Sequence, residues 1–76
     1  MIRLLISDDS AFMRIAIREM VESELDIEVV GEATDGLEAL KMVETTHPDL
    51  LILDIRMPNL TGIEVVEKLR SQNKLV

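Results

Sequence analysis

Leu50-Leu51-Ile52-Leu53-Asp54 decides how the rest of the chain is read, because four consecutive apolar residues are stopped by an acid. A segment apolar at every position reads as the central strand of a parallel sheet, covered on both faces. His47-Pro48 bounds it upstream, since the residue before a proline is pushed out of the helical region. Downstream, Thr61-Gly62-Ile63-Glu64 has the spacing of a capping box, and Ile63, Val66 and Leu69 recur at three-residue steps. That predicts a helix ending near Arg70 or Ser71. Gln72 to Val76 reads as a polar loop whose Leu75 and Val76 could open another strand.

Working back from Leu50, Asp35-Gly36-Leu37-Glu38 has the acceptor-x-x-Glu spacing of a helix start, and Leu37, Leu40 and Val43 carry that helix to about Thr45. Ile27 to Ala33 fits a strand at the sheet edge, because Glu28 and Glu32 interrupt it. Ser10 can cap a helix in which Met13, Ala16, Ile17 and Met20 form an apolar stripe, with Arg14, Arg18, Glu19 and Glu22 off it, ending near Glu24. Ile2 to Ile6 reads as a buried strand. The order β-α-β-α-β-α is half of a doubly wound parallel sheet, its crossovers expected to be right-handed.

Composition narrows the classes. A chain of 76 residues is one compact domain at most, and 47 % apolar content is too high for a disordered acidic tail. Without cysteine there is no disulfide framework and no thiolate metal site, which favours a reducing compartment. The longest strongly apolar run, Leu50 to Leu53, falls far short of a membrane span. Ser7-Asp8-Asp9 after Ile6 is not the flank of a secretory signal. A net charge of −7 argues against a nucleic-acid surface. His47, alone before a proline, reads as a solvated loop residue, and no glycine pattern forms a nucleotide cradle.

Three acids stand at strand ends. Asp8 and Asp9 follow the first strand and Asp54 follows the third. In an open parallel sheet, ligands bind beyond the carboxyl ends of the strands where the strand order reverses. If the second strand lies on the far side of the first, that switch point falls between strands one and three, and the three carboxylates converge. Anions so close repel one another unless a cation neutralises them, and oxygen-only ligation with waters left over suits Mg²⁺. Taken alone, Asp8 and Asp9 also fit plain helix capping, and Asp54 fits a turn before Pro58.

Asp8-Asp9-Ser10, Gly31 through Leu40, and Pro48 through Pro58 to Gly62, in unbroken order, resemble the receiver domain of bacterial two-component response regulators across the whole chain. Asp8 to Arg14 is similar to chemotaxis-type receivers, and Leu53 to Pro58 to those of DNA-binding regulators. The resemblance implies a truncated flavodoxin-like fold with strand order 2-1-3, lacking the last two strand-helix units. It implies a phosphoacceptor rather than an enzyme. Asp54 would take a phosphoryl group from a phosphohistidine on a sensor histidine kinase, in the cytoplasm. Asp9 and Asp54 would ligate Mg²⁺ directly, Asp8 largely through water, and the main-chain carbonyl of Arg56 would add an oxygen. Pro58 and Gly62 would shape the loop after Asp54, and the Arg56 side chain could project near the pocket.

The resemblance also sets expectations of absence. The hydroxyl residue after strand four and the lysine after strand five have no counterpart here, since Lys68 and Lys74 do not match that lysine by position. Lacking strand four, the third strand would be an open edge, and a homodimer or swapped assembly through that edge and the Leu75-Val76 tail is expected. Two other classes remain. One is a half-domain acting only as a dimerisation or protein-interaction module. The other, a phosphohydrolase of haloacid-dehalogenase type, expects Asp-x-Asp after strand one, where this chain has Ser10 two residues beyond Asp8.

Overall fold

A computed structural model describes residues 1–72. Strand β1 (Ile2–Ser7), helix α1 (Ala11–Glu22), strand β2 (Ile27–Ala33), helix α2 (Gly36–Thr46), strand β3 (Leu50–Leu53) and helix α3 (Gly62–Ser71) follow in the expected alternation. The three strands are parallel in the order β2-β1-β3. The fold is therefore an α/β, truncated flavodoxin-like sheet, as the sequence implies. Leu75 and Val76 lie outside the described residues.

Local chemistry sets each helix start. Ser10 Oγ accepts the Met13 N–H, Asp35 accepts the Glu38 N–H at 2.8 Å, and Thr61 with Glu64 closes a reciprocal capping box. Each oxygen satisfies an N–H that the helix itself leaves without a partner. Helix α2 ends on His47, an exposed residue with φ 48°, whose N–H returns to the Val43 carbonyl.

The pleat divides the sheet's side chains between two faces. Leu5, Leu51 and Leu53 face α2 and α3 and join Val43, Met57, Val65 and Leu69 in the main core. Leu4 and Ile6 point the other way and are almost wholly buried, and α1 packs on β1 and β2. Val30 is an extra residue in β2, since the register steps from Leu4 opposite Val29 to Leu5 opposite Gly31.

The order bears out the expected 2-1-3 and leaves Leu50–Leu53 at an edge among the described residues, as expected without a fourth strand. Its apolar run, which by itself reads as that of a central strand, has a strand partner on one side while β1 is paired on both, and Leu50 is 48 % exposed. Continuous apolarity measures how many faces are covered, not how many edges are paired, and β3 has core on one face and Ile52 on the other. The stripe assigned to α1 is rotated. Ala16 and Ile17 are half-buried as expected, but Met13 and Met20 are exposed, and Arg14, Ile17, Arg18 and Val21 form the row turned inward. That row has the i, i+3, i+4, i+7 spacing of a helix face, with two arginines in it because it overhangs Glu32 on the edge strand.

Candidate functional site

Register carries the acids together. Ser7 of β1 lies opposite Leu53 of β3, so the next residues, Asp8 and Asp54, leave neighbouring strand ends side by side. The ladder continues one step beyond the strands. The Asp54 N–H donates to the Ser7 carbonyl at 2.9 Å, and the Asp8 N–H donates to Ala33 on the other side at 3.0 Å. With β2 on the far side of β1, the order reverses between β1 and β3, which is the switch point at which such sheets bind ligands.

Asp8, Asp9 and Asp54 each offer a carboxylate oxygen, and the three oxygens lie within 4.8 Å of one another. Asp8 is nearly buried, Asp54 half-buried and Asp9 exposed. One Asp8 oxygen accepts the Ser10 N–H at 2.9 Å, an Asx turn that leaves its other oxygen available. Asp54 accepts the Arg56 N–H at 3.3 Å. The oxygens of an octahedral Mg²⁺ shell sit about 3–4 Å apart, given bonds of roughly 2.1 Å, so small rotamer adjustments suffice. Hard carboxylate oxygens, partly exposed so that waters can complete the shell, fit this ion.

The loop after Asp54 is pinned at several points. Met57 is buried, with its sulfur 3.2 Å from the Ser7 hydroxyl, which donates to it. Asn59, at φ 70°, donates to Asp35 at 2.8 Å and so ties the loop to the start of α2. A Cβ on Gly62 would run into the Asp54 carbonyl, and one on Gly36 would strike the backbone of Leu60, 2.8 Å from its carbonyl carbon. Gly62 is thus a close-approach glycine beside the strand-end acid. Pro58 is exposed in the same loop, and the Pro58 carbonyl accepts the Leu60 N–H at 2.8 Å. The Arg56 side chain is exposed.

Comparison with known proteins gives the family. The model of the response regulator receiver domain matches residues 4–76. The chain belongs to the response regulator receiver family. The receiver is 48 % identical over 71 residues to a protein-glutamate methylesterase/protein-glutamine glutaminase of Methanosarcina mazei, covering 93 % of this chain and 20 % of that protein. It superposes on the response regulator domain of Thermotoga maritima CheB with a TM-score of 0.91 and 44 % identity, over 96 % of this chain and 55 % of that one. A CheX-CheY-BeF3-Mg+2 complex from Borrelia burgdorferi matches with a TM-score of 0.88 and 29 % identity, over 96 % of this receiver and 55 % of the matched chain. The chain therefore spans about a fifth of the curated relative and about half of each solved receiver.

Sequence reasoning missed Arg14. It was set off the buried stripe, yet its side chain is only 16 % exposed, and it reaches both Glu32 and the Asp8 main chain. The available signal was the pairing of Arg14 and Arg18, one helical turn apart, with Glu32, the second of two glutamates in the edge strand.

Proposed function

We propose that this receiver is the phosphoacceptor of a two-component relay, with Asp54 as the nucleophile. The convergence of Asp8, Asp9 and Asp54 at the β1/β3 switch point carries the reading. A carboxylate oxygen of Asp54 attacks the phosphorus of a phosphohistidine on a sensor histidine kinase. The new O–P bond forms as the N–P bond breaks, and the imidazole leaves with the bonding pair. Asp8, Asp9 and Asp54, with the Arg56 main-chain carbonyl, would hold Mg²⁺. When bound, that ion supplies charge neutralisation and alignment for the transferring group. Half-burial of Asp54 limits competing water, while the pinned Met57–Leu60 loop keeps its carboxylate at the strand end. In this reading the chain is a phosphoacceptor that assists its own modification rather than an enzyme with turnover, and it works in the cytoplasm.

Likeness to the methylesterases, at 48 % identity for the Methanosarcina protein, supports a chemotaxis-type parent over the DNA-binding type. The solved LuxR-family receiver from Aurantimonas is 30 % identical. The regulatory segment of a protein-glutamate methylesterase is the parent we favour.

Incubation with Mg²⁺ and a small acyl-phosphate donor, followed by mass measurement, tests the chemistry. A gain of one phosphoryl group that disappears in Asp54→Asn is the expected result. No gain in the unaltered chain would confine the phosphoacceptor claim to a receiver of full length and leave this chain with the interaction-module reading. That reading has one observation in its favour, the outer edge of β3, unpaired among the described residues and flanked by an apolar cleft lined by Leu53, Ile55, Ile63 and Val66, and the two functions are compatible.

A further inference from the structure

The residue that joins the acid pocket to the edge of the sheet is Arg14. Its Nε–H donates to Glu32 Oε1 at 3.2 Å, and another guanidinium N–H donates to the main-chain carbonyl of Asp8 at 2.7 Å. Ladder bonds account for the Asp8 N–H, through Ala33, and for the Ser7 carbonyl, through Asp54. Asp8 stands where β1 has ended, and the guanidinium supplies its carbonyl with a partner. Glu32 is itself held from a second direction, because Arg18 contacts its other oxygen at 2.7 Å and also Glu22 at 3.1 Å. A planar guanidinium fixed by a carboxylate on one side leaves its remaining N–H groups in defined directions.

We propose that Arg14 is a positioning residue for the metal site, setting the Asp8-Asp9 turn through the Asp8 carbonyl. This inference rests on the assignment of Mg²⁺ to the three acids. Partners of this kind hold the groups that touch a metal, and their loss commonly weakens metal binding by about 10- to 100-fold. Simple charge makes the opposite forecast. An arginine close to a dication site repels the ion, so removing it would tighten binding.

Mg²⁺ titration of the full chain, followed by calorimetry or amide chemical shifts, separates the two. Arg14→Lys keeps the charge and loses the fork, and Arg14→Gln loses both. Positioning requires both variants to bind Mg²⁺ at least about 10-fold more weakly than the unaltered chain, the lower end of that range. Arg18→Gln removes a partner of Glu32 without touching Asp8 and should leave the affinity within about twofold. A second readout is the rise in melting temperature on adding Mg²⁺, which should shrink in the Arg14 variants and persist in Arg18→Gln. A merely structural role would lower the melting temperature equally with and without the ion. If Arg14→Gln fails to fold, Arg14→Lys decides. Unchanged affinity in Arg14→Lys overturns the inference alone, and absence of Mg²⁺ binding in the unaltered chain overturns it together with the metal reading.

Discussion

At the scale of single residues, close approach rather than backbone conformation governs the glycine beside the strand-end acid. Gly62 has no positive φ, but an added Cβ would meet the carbonyl of Asp54. Neither group can retreat, because the Gly62 N–H donates to the Ile55 carbonyl at 2.9 Å and the Asp54 N–H belongs to the sheet ladder. Gly62→Ala should therefore cost roughly 1–3 kcal/mol of stability, in the range of other forced overpackings, as read by urea unfolding. Gly31 makes the contrast. Its nearest neighbours, Leu5 Cδ1 at 3.2 Å and Met42 Cε at 3.3 Å, are ends of side chains that can rotate. Gly31→Ala should fall within about 1 kcal/mol of the parent, since relief of strand entropy offsets the crowding. Equal losses at both positions would mean that the loop around Asp54 is softer than its hydrogen bonds indicate.

At the scale of elements, the helix caps impose a pH dependence. Asp35 and Glu64 both have lowered pKa values, Asp35 because it accepts the Glu38 N–H and Glu64 because it accepts the Thr61 N–H. A carboxylate whose folded pKa lies below its unfolded one stabilises fully above the unfolded value and loses that contribution as pH falls through the folded value. Thermal melts from pH 6 down to about pH 3 should thus show a falling midpoint that flattens in an Asp35→Asn, Glu64→Gln double variant, while an unchanged slope would place the acid sensitivity elsewhere. These caps were legible in the sequence because an acceptor three residues ahead of a glutamate is a local signal. The strand-end acids were legible for the same reason, since one apolar run followed by one acid states both an element and its terminus. Edge and face assignments were not local. Whether Leu50–Leu53 sits at the centre or the edge depends on which strands pair with it. Which side of α1 faces the sheet depends on Glu32, which lies in another element. Arg14 was misread on that account, because a helix stripe counted by apolarity alone cannot register an arginine whose partner is a strand residue 18 positions away.

At the scale of the whole molecule, the sheet is protected unequally. β2 is an edge that carries Glu28 and Glu32, charges that discourage further pairing, and Arg3 and Arg18 engage them. β3 carries no charge within Leu50–Leu53, and its outer edge has no strand partner among the described residues. Beside it, a cleft of about 350 Å³ is lined by Leu53, Ile55, Ile63 and Val66, with Glu67 and Arg70 at its polar margin. Ile55 and Ile63 are each more than half exposed there. Unpaired backbone next to exposed apolar surface is the pattern that recruits another strand, and in the solved receivers roughly 45 % of the chain lies outside the matched part. We therefore expect the 76-residue chain on its own to self-associate through the β3 edge. Sedimentation at micromolar concentration should show a dimer or larger species, and an Ile52→Lys substitution should leave it unaffected because that side chain points toward the face of α1. Ile63→Glu, on the cleft side, should shift the population toward monomer. A folded monomer in the unaltered chain would show that the edge is already satisfied, and would remove the interaction-module reading while leaving the chemistry of Asp54 intact.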